Sequence, residues 1–483
     1  MVALFLANRA IGPLRDYDAG LYHLNAVRWA AEHAIVPGLG NLHNRLAFNQ
    51  AHFLCAALLE MGPLAGKSFH FINSVLVFVL AWQALAAAWR VAFSRGDSRV
   101  SDLLLALSVV PASWLLKYAA SLAPEPVVYA FGILVCERLF ALLEGDGADD
   151  EERRAALLVV VLLGAVGFTV KLSFAVQGAL ATVVGAVLYA RSGPDGRRRL
   201  RRAVAVAAVC WGAVVIPWAV RGVVLSGYPA YPCPLGGLNV EWRIPRSEAV
   251  HMSRIITGWA RQPGPGWRDS RGTWKWVLPW FVQRIAGTSE GWAYVLGPFA
   301  IVAALCTFHL VSWLVDRHWF PLDWRRSLVL VPWAVGAIYW VVMAPAPHFA
   351  ASTFFVMAAG VAVLTVERFR VALSTVALRI ICCWGVSLSC MVALVLLAHY
   401  LFHNGLFVGP GSDKGFHPAP APEVKARTTE SGLVVYVPKN ESSHQCWDAP
   451  LPCTPYFNPR LRLRKPGNLA SGFAADTPLK NAN

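Results

Sequence analysis

Ten long apolar runs separated by short polar connections dominate the hydrophobic pattern of the chain. Most approach the roughly 20 residues that an α-helix needs to cross the hydrocarbon core of a bilayer. They predict transmembrane helices over residues 69–89, 102–118, 126–143, 155–170, 172–190, 203–225, 293–315, 327–344, 351–366 and 380–402. The apolar start, residues 1–14, is too short to span, so it is either the outer half of a first helix or follows an internal start that truncates it. We therefore expect an all-α polytopic membrane protein with about ten or eleven transmembrane helices.

Residues 16–50 form a polar stretch that interrupts this pattern. A charge at the centre of a membrane helix costs roughly 2.5–3.5 kcal/mol, so the stretch must lie at or outside the membrane surface. Apolar residues at helical spacing over 18–34 predict a helix in the interface plane, and a second is predicted over 45–59. The loop 226–292 alternates Trp with Arg, which indicates either an aromatic belt with snorkelling arginines or a surface for lipid phosphate.

Composition and charge agree with a membrane protein. The 483 residues are 56% hydrophobic and only 15% charged, with a formal net charge of +15. Such a charge can indicate nucleic acid, but the basic clusters lie between apolar runs, and all fall on one side if the spans alternate. That side is predicted to be cytoplasmic, and nucleic acid is not an expected partner. The loops 16–68 and 226–292 and the tail 404–483 are then extracytoplasmic.

The tail differs in composition from the transmembrane region, residues 1–403. It opens with a Gly/Pro-rich linker, and the run GLVVYVP at 432–438 predicts a β-strand. Cys446 and Cys453 follow, and an oxidising compartment favours a disulfide between them, two unpaired thiols being the alternative.

Asp16 and Asp18 are the first candidates for chemistry, as a general base or as ligands of a metal ion; the alternative is that either carboxylate caps a helix. Three charged or titratable residues in outer turns are candidates to join them: Glu125, Lys171 and His348. Each has a simpler interpretation, respectively a solvated turn charge, a snorkelling lysine and an interfacial histidine.

The first outer loop resembles that of GT-C type glycosyltransferases, in which an acidic residue is followed four residues later by Tyr and then by Ala. The matching residues are Asp18, Tyr22 and Ala26. Those enzymes take a sugar from a polyprenyl-phosphate carrier on the outer face of the membrane. The resemblance implies that Asp18 is the catalytic base, or a ligand of a divalent cation such as Mg²⁺ or Mn²⁺. Many members have Glu after that Asp, whereas this chain has Ala19, so Asp16 becomes the candidate for a second carboxylate.

A second resemblance extends over nearly the whole chain. Five stretches together look like a family of bacterial polytopic membrane proteins with no assigned activity, found among envelope and surface-polysaccharide proteins. The stretches are residues 16–49, 227–232, 240–245, 344–349 and 446–459. This resemblance implies the plasma membrane of a bacterium as the location.

These observations lead to the hypothesis of a GT-C-like glycosyltransferase that moves a sugar from a polyprenyl-phosphate donor to an extracytoplasmic glycan or lipid acceptor. Lys171 and Arg243 are expected to hold the carrier phosphate. The full set of predicted substrate-binding residues is Tyr22, His23, His43, Arg45, Asn49, Glu125, Lys171, Trp242, Arg243 and His348. Two alternatives stay open: a transporter or flippase of a lipid-linked glycan, and a non-enzymatic envelope assembly protein.

Overall fold

The structure is a computed structural model. It describes residues 2–14, 16–93, 99–144, 149–268, 270, 272–315, 324–369, 375–404 and 417–475. About 71% of the described residues are helical. The α-helices before the long loop are α1 Val2–Ala10, α2 Leu24–Glu32, α3 Leu39–Leu42, α4 Ala51–Leu58, α5 Ser68–Phe93, α6 Val100–Leu107, α7 Val109–Leu115, α8 Glu125–Leu143, α9 Asp150–Val170, α10 Ala175–Arg191 and α11 Gly196–Ser226. The α-helices from the long loop 226–292 onwards are α12 Arg246–Arg261, α13 Val277–Trp280, α14 Ser289–Gly291, α15 Gly297–Val315, α16 Trp324–Ser327, α17 Val331–Met343, α18 Thr353–Phe369 and α19 Thr375–Asn404.

Within these described ranges, eight helical segments are long and apolar enough to cross a membrane. They are Ser68–Phe93, Val100–Tyr118, Glu125–Leu143, Asp150–Val170, Leu172–Arg191, Gly196–Ser226, Ser289–Val315 and Arg379–His399. The prediction of a polytopic all-helical membrane fold is confirmed at this level, but the number of full-length spans is smaller than the ten or eleven expected. Two predicted spans, 327–344 and 351–366, form the shorter helices α17 and α18, of 13 and 17 residues.

Small residues allow the helices of the bundle to approach closely. A Cβ added at Gly164 of α9 would lie 2.8 Å from the carbonyl oxygen of Gly178 of α10, and one added at Gly178 would lie 2.6 Å from that of Gly164. Such contacts are typical of helices packed within a membrane. Only 11% of the apolar window of α11 and 6% of that in Ser289–Val315 are buried by other parts of the chain, so these helices present apolar surface to their surroundings.

Residues 16–58 fold into short helices rather than the two regular ones expected. The first predicted helix begins as a π-helical turn, Ala19–His23, and continues as α2 to Glu32. The second starts later than predicted, because the backbone of Asn49 adopts a φ of 56° that interrupts a helix. A 3₁₀ turn, Asn44–Ala47, therefore precedes this break and α4 follows it.

The C-terminal segment forms two small antiparallel sheets. Strand β1, Val424–Thr428, pairs with β2, Val434–Pro438, within the predicted strand run, and β3, Leu461–Leu463, pairs with β4, Phe473–Ala475. Its buried apolar side chains join those of the first polar stretch in one hydrophobic core, which includes Leu21, Leu24, Trp29, Val435, Leu461 and Phe473. The segment therefore packs directly on the residues that carry Asp18.

Candidate functional site

Three predicted turn residues lie at the same end of the helical bundle. Glu125 opens α8, where Pro126 occupies the first turn, and Lys171 follows the last residue of α9 in an extended conformation. The Lys171 ammonium forms an ion pair with the Glu125 carboxylate, and both side chains are largely buried, at 11% and 17% exposure. Lys171 also lies 4.4 Å from the centroid of the Phe349 ring, next to His348. The charge that was expected to bind a carrier phosphate is thus compensated by a carboxylate of the chain itself.

His348 belongs to a second charged group beside this pair. The Lys117 Nζ lies 3.0 Å from Glu290 Oε1, and His348 Nδ1 lies 3.8 Å from Glu290 Oε2. Glu290 sits in α14, which Thr288 caps by accepting a hydrogen bond from the Gly291 N–H at 2.9 Å. Lys117 and Glu290 come from segments about 170 residues apart, and the sequence offered no sign that they would meet.

Asp16 faces the same end of the bundle. Its Oδ2 accepts a hydrogen bond from the Ser121 hydroxyl, in the loop before α8. Burial raises the pKa of the Asp16 carboxyl; the Ser121 hydrogen bond opposes this rise, and the negative charge of Glu125 adds to it. Asp16, Glu125, Lys117, Lys171, Glu290 and His348 therefore form one charged cluster, called here the turn cluster.

Asp18 is held differently, directly before the π-helical turn Ala19–His23 that leads into α2. Its Oδ1 lies 3.1 Å from a terminal nitrogen of Arg45, and its side chain is 48% exposed. The Arg45 guanidinium lies 5.8 Å from the centroid of the buried Tyr22 ring. Asp18 is not a helix cap, since its side chain accepts no hydrogen bond from the turn that follows it. π-helical turns are uncommon in proteins and often occur at functional sites. The turn Ala19–His23 is therefore a candidate site, and the described residues contain two more such turns, Phe281–Ala286 and Trp292–Leu296.

Two buried histidines lie at this turn: His23 is its last residue, and His52 belongs to α4. His23 and His52 both pack on Phe53, with ring centroids 5.0 and 6.1 Å from it. Burial lowers the pKa of each imidazole to about 4, so both are neutral near pH 7. His23 Nδ1 and His52 Nε2 have no hydrogen-bond partner among the described residues. The pattern of charged residues did not single out His52, which lies beyond the polar stretch 16–50.

The disulfide loop of the C-terminal segment fixes the turn that carries Asp18. Cys446 and Cys453 are joined by a disulfide, the pairing expected from the sequence. The Trp447 N–H donates to the Gly20 carbonyl at 3.0 Å, and the Asn25 amide donates to the Trp447 carbonyl at 3.2 Å. Arg28 adds a hydrogen bond to the Ala449 carbonyl at 2.5 Å. The π-helical turn and α2 are thereby bonded to a segment more than 400 residues away in sequence.

Three of the other predicted substrate-binding residues, His43, Asn49 and Trp242, contact other parts of the chain, and Asn49 also lines a pocket. His43 is buried, with its ring centroid 5.5 Å from that of Tyr456, and burial lowers its pKa to about 3. The Asn49 amide donates to the Trp218 carbonyl at 2.7 Å. Trp242 packs under the Arg464 guanidinium, 4.6 Å from it. Arg243 is exposed on the loop after α11.

Arg45, which binds Asp18, also lines a pocket. It is a cavity of about 200 Å³ bounded by α2, α4 and the last turns of α11, and Arg45 and Arg221 both line it. Arg221 was overlooked because it lies inside the predicted span 203–225. A signal was present, since an arginine within a membrane helix is rare and commonly marks a functional position.

The described residues contain no group of three or more His, Cys, Asp or Glu side chains arranged to hold a metal ion. Asp16 accepts a hydrogen bond from Ser121, and Asp18 pairs with Arg45. A divalent cation at these two carboxylates stays a prediction.

The fold and the site together define a multi-pass helical membrane protein with a charged, partly open site at one end of its bundle. Residues 1–355 match the model of a family described as a domain of unknown function (DUF8201). Because this match covers well over half of the chain, the protein belongs to that family. No curated protein matches the chain.

Proposed function

We propose that the protein is an integral-membrane glycosyltransferase that moves a sugar from a polyprenyl-phosphate donor to a glycan or lipid acceptor on the extracytoplasmic side of a bacterial plasma membrane. The observation that carries the proposal is the position of Asp18. It is a half-exposed carboxylate directly before a π-helical turn, near the partly buried turn cluster, and it is bound by Arg45, which also lines a pocket.

The reaction needs a base that reaches solvent and a site that accepts a lipid. In our proposal the Asp18 carboxylate takes the proton of an acceptor hydroxyl as its oxygen attacks the anomeric carbon of the sugar. The bond between that carbon and the phosphate oxygen breaks, and the polyprenyl phosphate leaves with the bonding electrons. The proton then passes from Asp18 to solvent, which its exposed side chain contacts.

Asp16 has a supporting role in this scheme. Its carboxylate is less accessible than that of Asp18 and is bound by Ser121. Burial raises the pKa of Asp16, and Lys117 offsets part of this effect. Asp16 therefore positions the charged groups beside the acceptor rather than taking the proton itself.

The proposal is tested with Asp18→Asn. General-base catalysis contributes about 10²–10⁴-fold to rates, so transfer of sugar from a panel of polyprenyl-phosphate donors should fall by about that factor. The first readout is the envelope glycan profile of a deletion strain complemented with wild type or variant, which identifies the missing sugar. The second is transfer by the purified protein, with and without EDTA, which tests the divalent cation.

Glu423→Gln is the matched control. Glu423 is 82% exposed and pairs with Lys439 at 3.1 Å on the C-terminal segment. It should leave transfer and the glycan profile unchanged. A folded Asp18→Asn protein that transfers sugar at the wild-type rate would remove Asp18 from the mechanism. A deletion strain that makes complete glycans but retains them on the cytoplasmic side would instead favour a flippase.

A further inference from the structure

The pocket beside Arg45 has an excess of positive charge. Arg45 and Arg221 both line it, and no Asp or Glu is among its described lining residues. A guanidinium has five N–H donors. Arg221 donates one hydrogen bond, at 2.5 Å, to the neutral side-chain oxygen of Asn49, and Arg45 is bound by Asp18 outside the pocket. Most donors of both side chains therefore have no acceptor in the described part of the chain.

The position of Arg221 makes this excess costly. It lies in the last turns of α11, five residues before the helix ends at Ser226, in a segment apolar enough to span a membrane. Arginines in such segments normally pair with an acidic group or face a substrate path. Since the bond to Asn49 supplies no charge, an anion in the pocket would compensate Arg221.

The remaining walls indicate what kind of anion fits. Trp29, Ala30 and Leu54 contribute apolar surface, and His33, Asn49 and Gln50 contribute neutral polar groups. Its volume of about 200 Å³ is below the roughly 300–1,000 Å³ of pockets that enclose whole small ligands, so it suits a head group whose remainder lies outside. Ile35, which lines the pocket, is 49% exposed, and Val220, next to Arg221 in sequence, is 59% exposed, so apolar side chains near the pocket reach the surface.

We propose that this pocket binds the phosphate of a polyprenyl-phosphate lipid, with Arg45 and Arg221 both donating to its oxygens. Guanidinium groups match phosphate oxygens in geometry and charge, and the polyprenyl chain lies along the exposed apolar surface. Naming the polyprenyl carrier rests on the proposed function, whereas phosphate binding rests on the pocket alone. Because Arg45 also contacts Asp18, the bound phosphate lies one side chain away from the proposed base.

The test is a binding measurement on the full-length protein in nanodiscs of phosphatidylcholine. The probes are undecaprenyl phosphate, undecaprenol and dioleoyl phosphatidylglycerol. Wild-type protein should bind undecaprenyl phosphate and neither of the others at the same concentrations. Arg221→Gln should weaken binding by about tenfold or more, because it removes charged hydrogen bonds to the phosphate.

Two further variants separate binding from folding. Arg202→Gln removes the same charge from an exposed position at the opposite end of α11 and should bind like wild type. Ala30→Phe fills the pocket while keeping both arginines, so it should weaken binding even if Arg221→Gln disturbs the contact with Asn49. Folding of each variant is followed by size-exclusion chromatography and thermal unfolding.

The outcomes distinguish the two proposals. Unchanged binding in folded Arg221→Gln and Ala30→Phe proteins would refute the pocket. Equal binding of phosphatidylglycerol would refute the carrier and make this an ordinary phospholipid site. If phosphate binding follows the expected pattern but no donor supports sugar transfer, the proposed function fails while the phosphate site stands.

Discussion

Replacing Gly20 by Ala should release the C-terminal segment from the turn that carries Asp18. The Cβ of an alanine would lie 2.3, 2.6 and 2.8 Å from three atoms of the Trp447 ring, all closer than real Cβ contacts. The ring would have to withdraw by about 1 Å to reach ordinary van der Waals contact at 3.4 Å. Such a movement also pulls on the hydrogen bond from the Trp447 N–H to the Gly20 carbonyl.

The size of the effect follows from the overpacking. Forcing one extra carbon into a packed contact costs typically about 1–3 kcal/mol. Applied to the local dissociation of the C-terminal segment from the turn, this free energy raises the population of the dissociated form by about 5- to 150-fold. Hydrogen exchange of peptides covering residues 17–28 and 445–450 measures that population, because an amide exchanges from the open form. Sugar transfer should fall with it, since Asp18 lies two residues before Gly20.

Gly385→Ala is the control, because a Cβ there meets nothing within 4 Å. A double-mutant cycle with Trp447→Ala removes the ring, so Gly20→Ala should then have little further effect. If Gly20→Ala exchanges as slowly as Gly385→Ala, the packing of Trp447 on Gly20 does not hold the two segments together.

Two further predictions concern buried charge. Lys171→Gln leaves the Glu125 carboxylate uncompensated and should destabilise the fold by about 3–5 kcal/mol. Adding Glu125→Gln should restore much of the lost stability. Equal thermal unfolding of the single and double variants would contradict this prediction. Burial lowers the pKa of His43 from 6.5 to about 3 in the folded protein. As the pH falls below about 6.5, His43 is therefore protonated in the unfolded chain but not in the folded one, and the free energy of unfolding decreases. His43→Phe should reduce the difference between unfolding midpoints at about pH 7.5 and pH 5, and an unchanged difference would refute the assignment.

The positions of the helices were largely predictable, because run length and hydropathy are local properties of the sequence. The shorter α17 shows where this reasoning ends. The run 327–344 begins with a 3₁₀ turn, Leu328–Leu330, before Pro332 enters the first turn of α17. The helix ends before the Pro-rich segment 344–347, so the regular part has 13 residues. Hydropathy alone predicts neither the first nor the last residue of α17.

The candidate site was predictable only in part. Consecutive spans that alternate direction bring their outer turns to one side, which is why Glu125, Lys171 and His348 could be expected near each other. Their partners could not be read from the sequence, because pairs such as Lys117 with Glu290 depend on how distant helices pack. Arg221 was hidden for the opposite reason, since a single charge in a long apolar run does not change the prediction of a span.

The contacts around Asp18 show that its position depends on three separate parts of the chain. Arg45, from the same polar stretch, binds its carboxylate, and Ser121 from the bundle binds the neighbouring Asp16. Trp447 binds the backbone of the turn itself, from a segment beyond residue 355, where the family match ends. Each contact restrains a different group: the side chain of Asp18, the side chain of Asp16, and the backbone of the turn. Variants in any one part should therefore alter the rate of transfer while the other two keep the turn folded, and combining Gly20→Ala with a change at Ser121 should cost more than either alone.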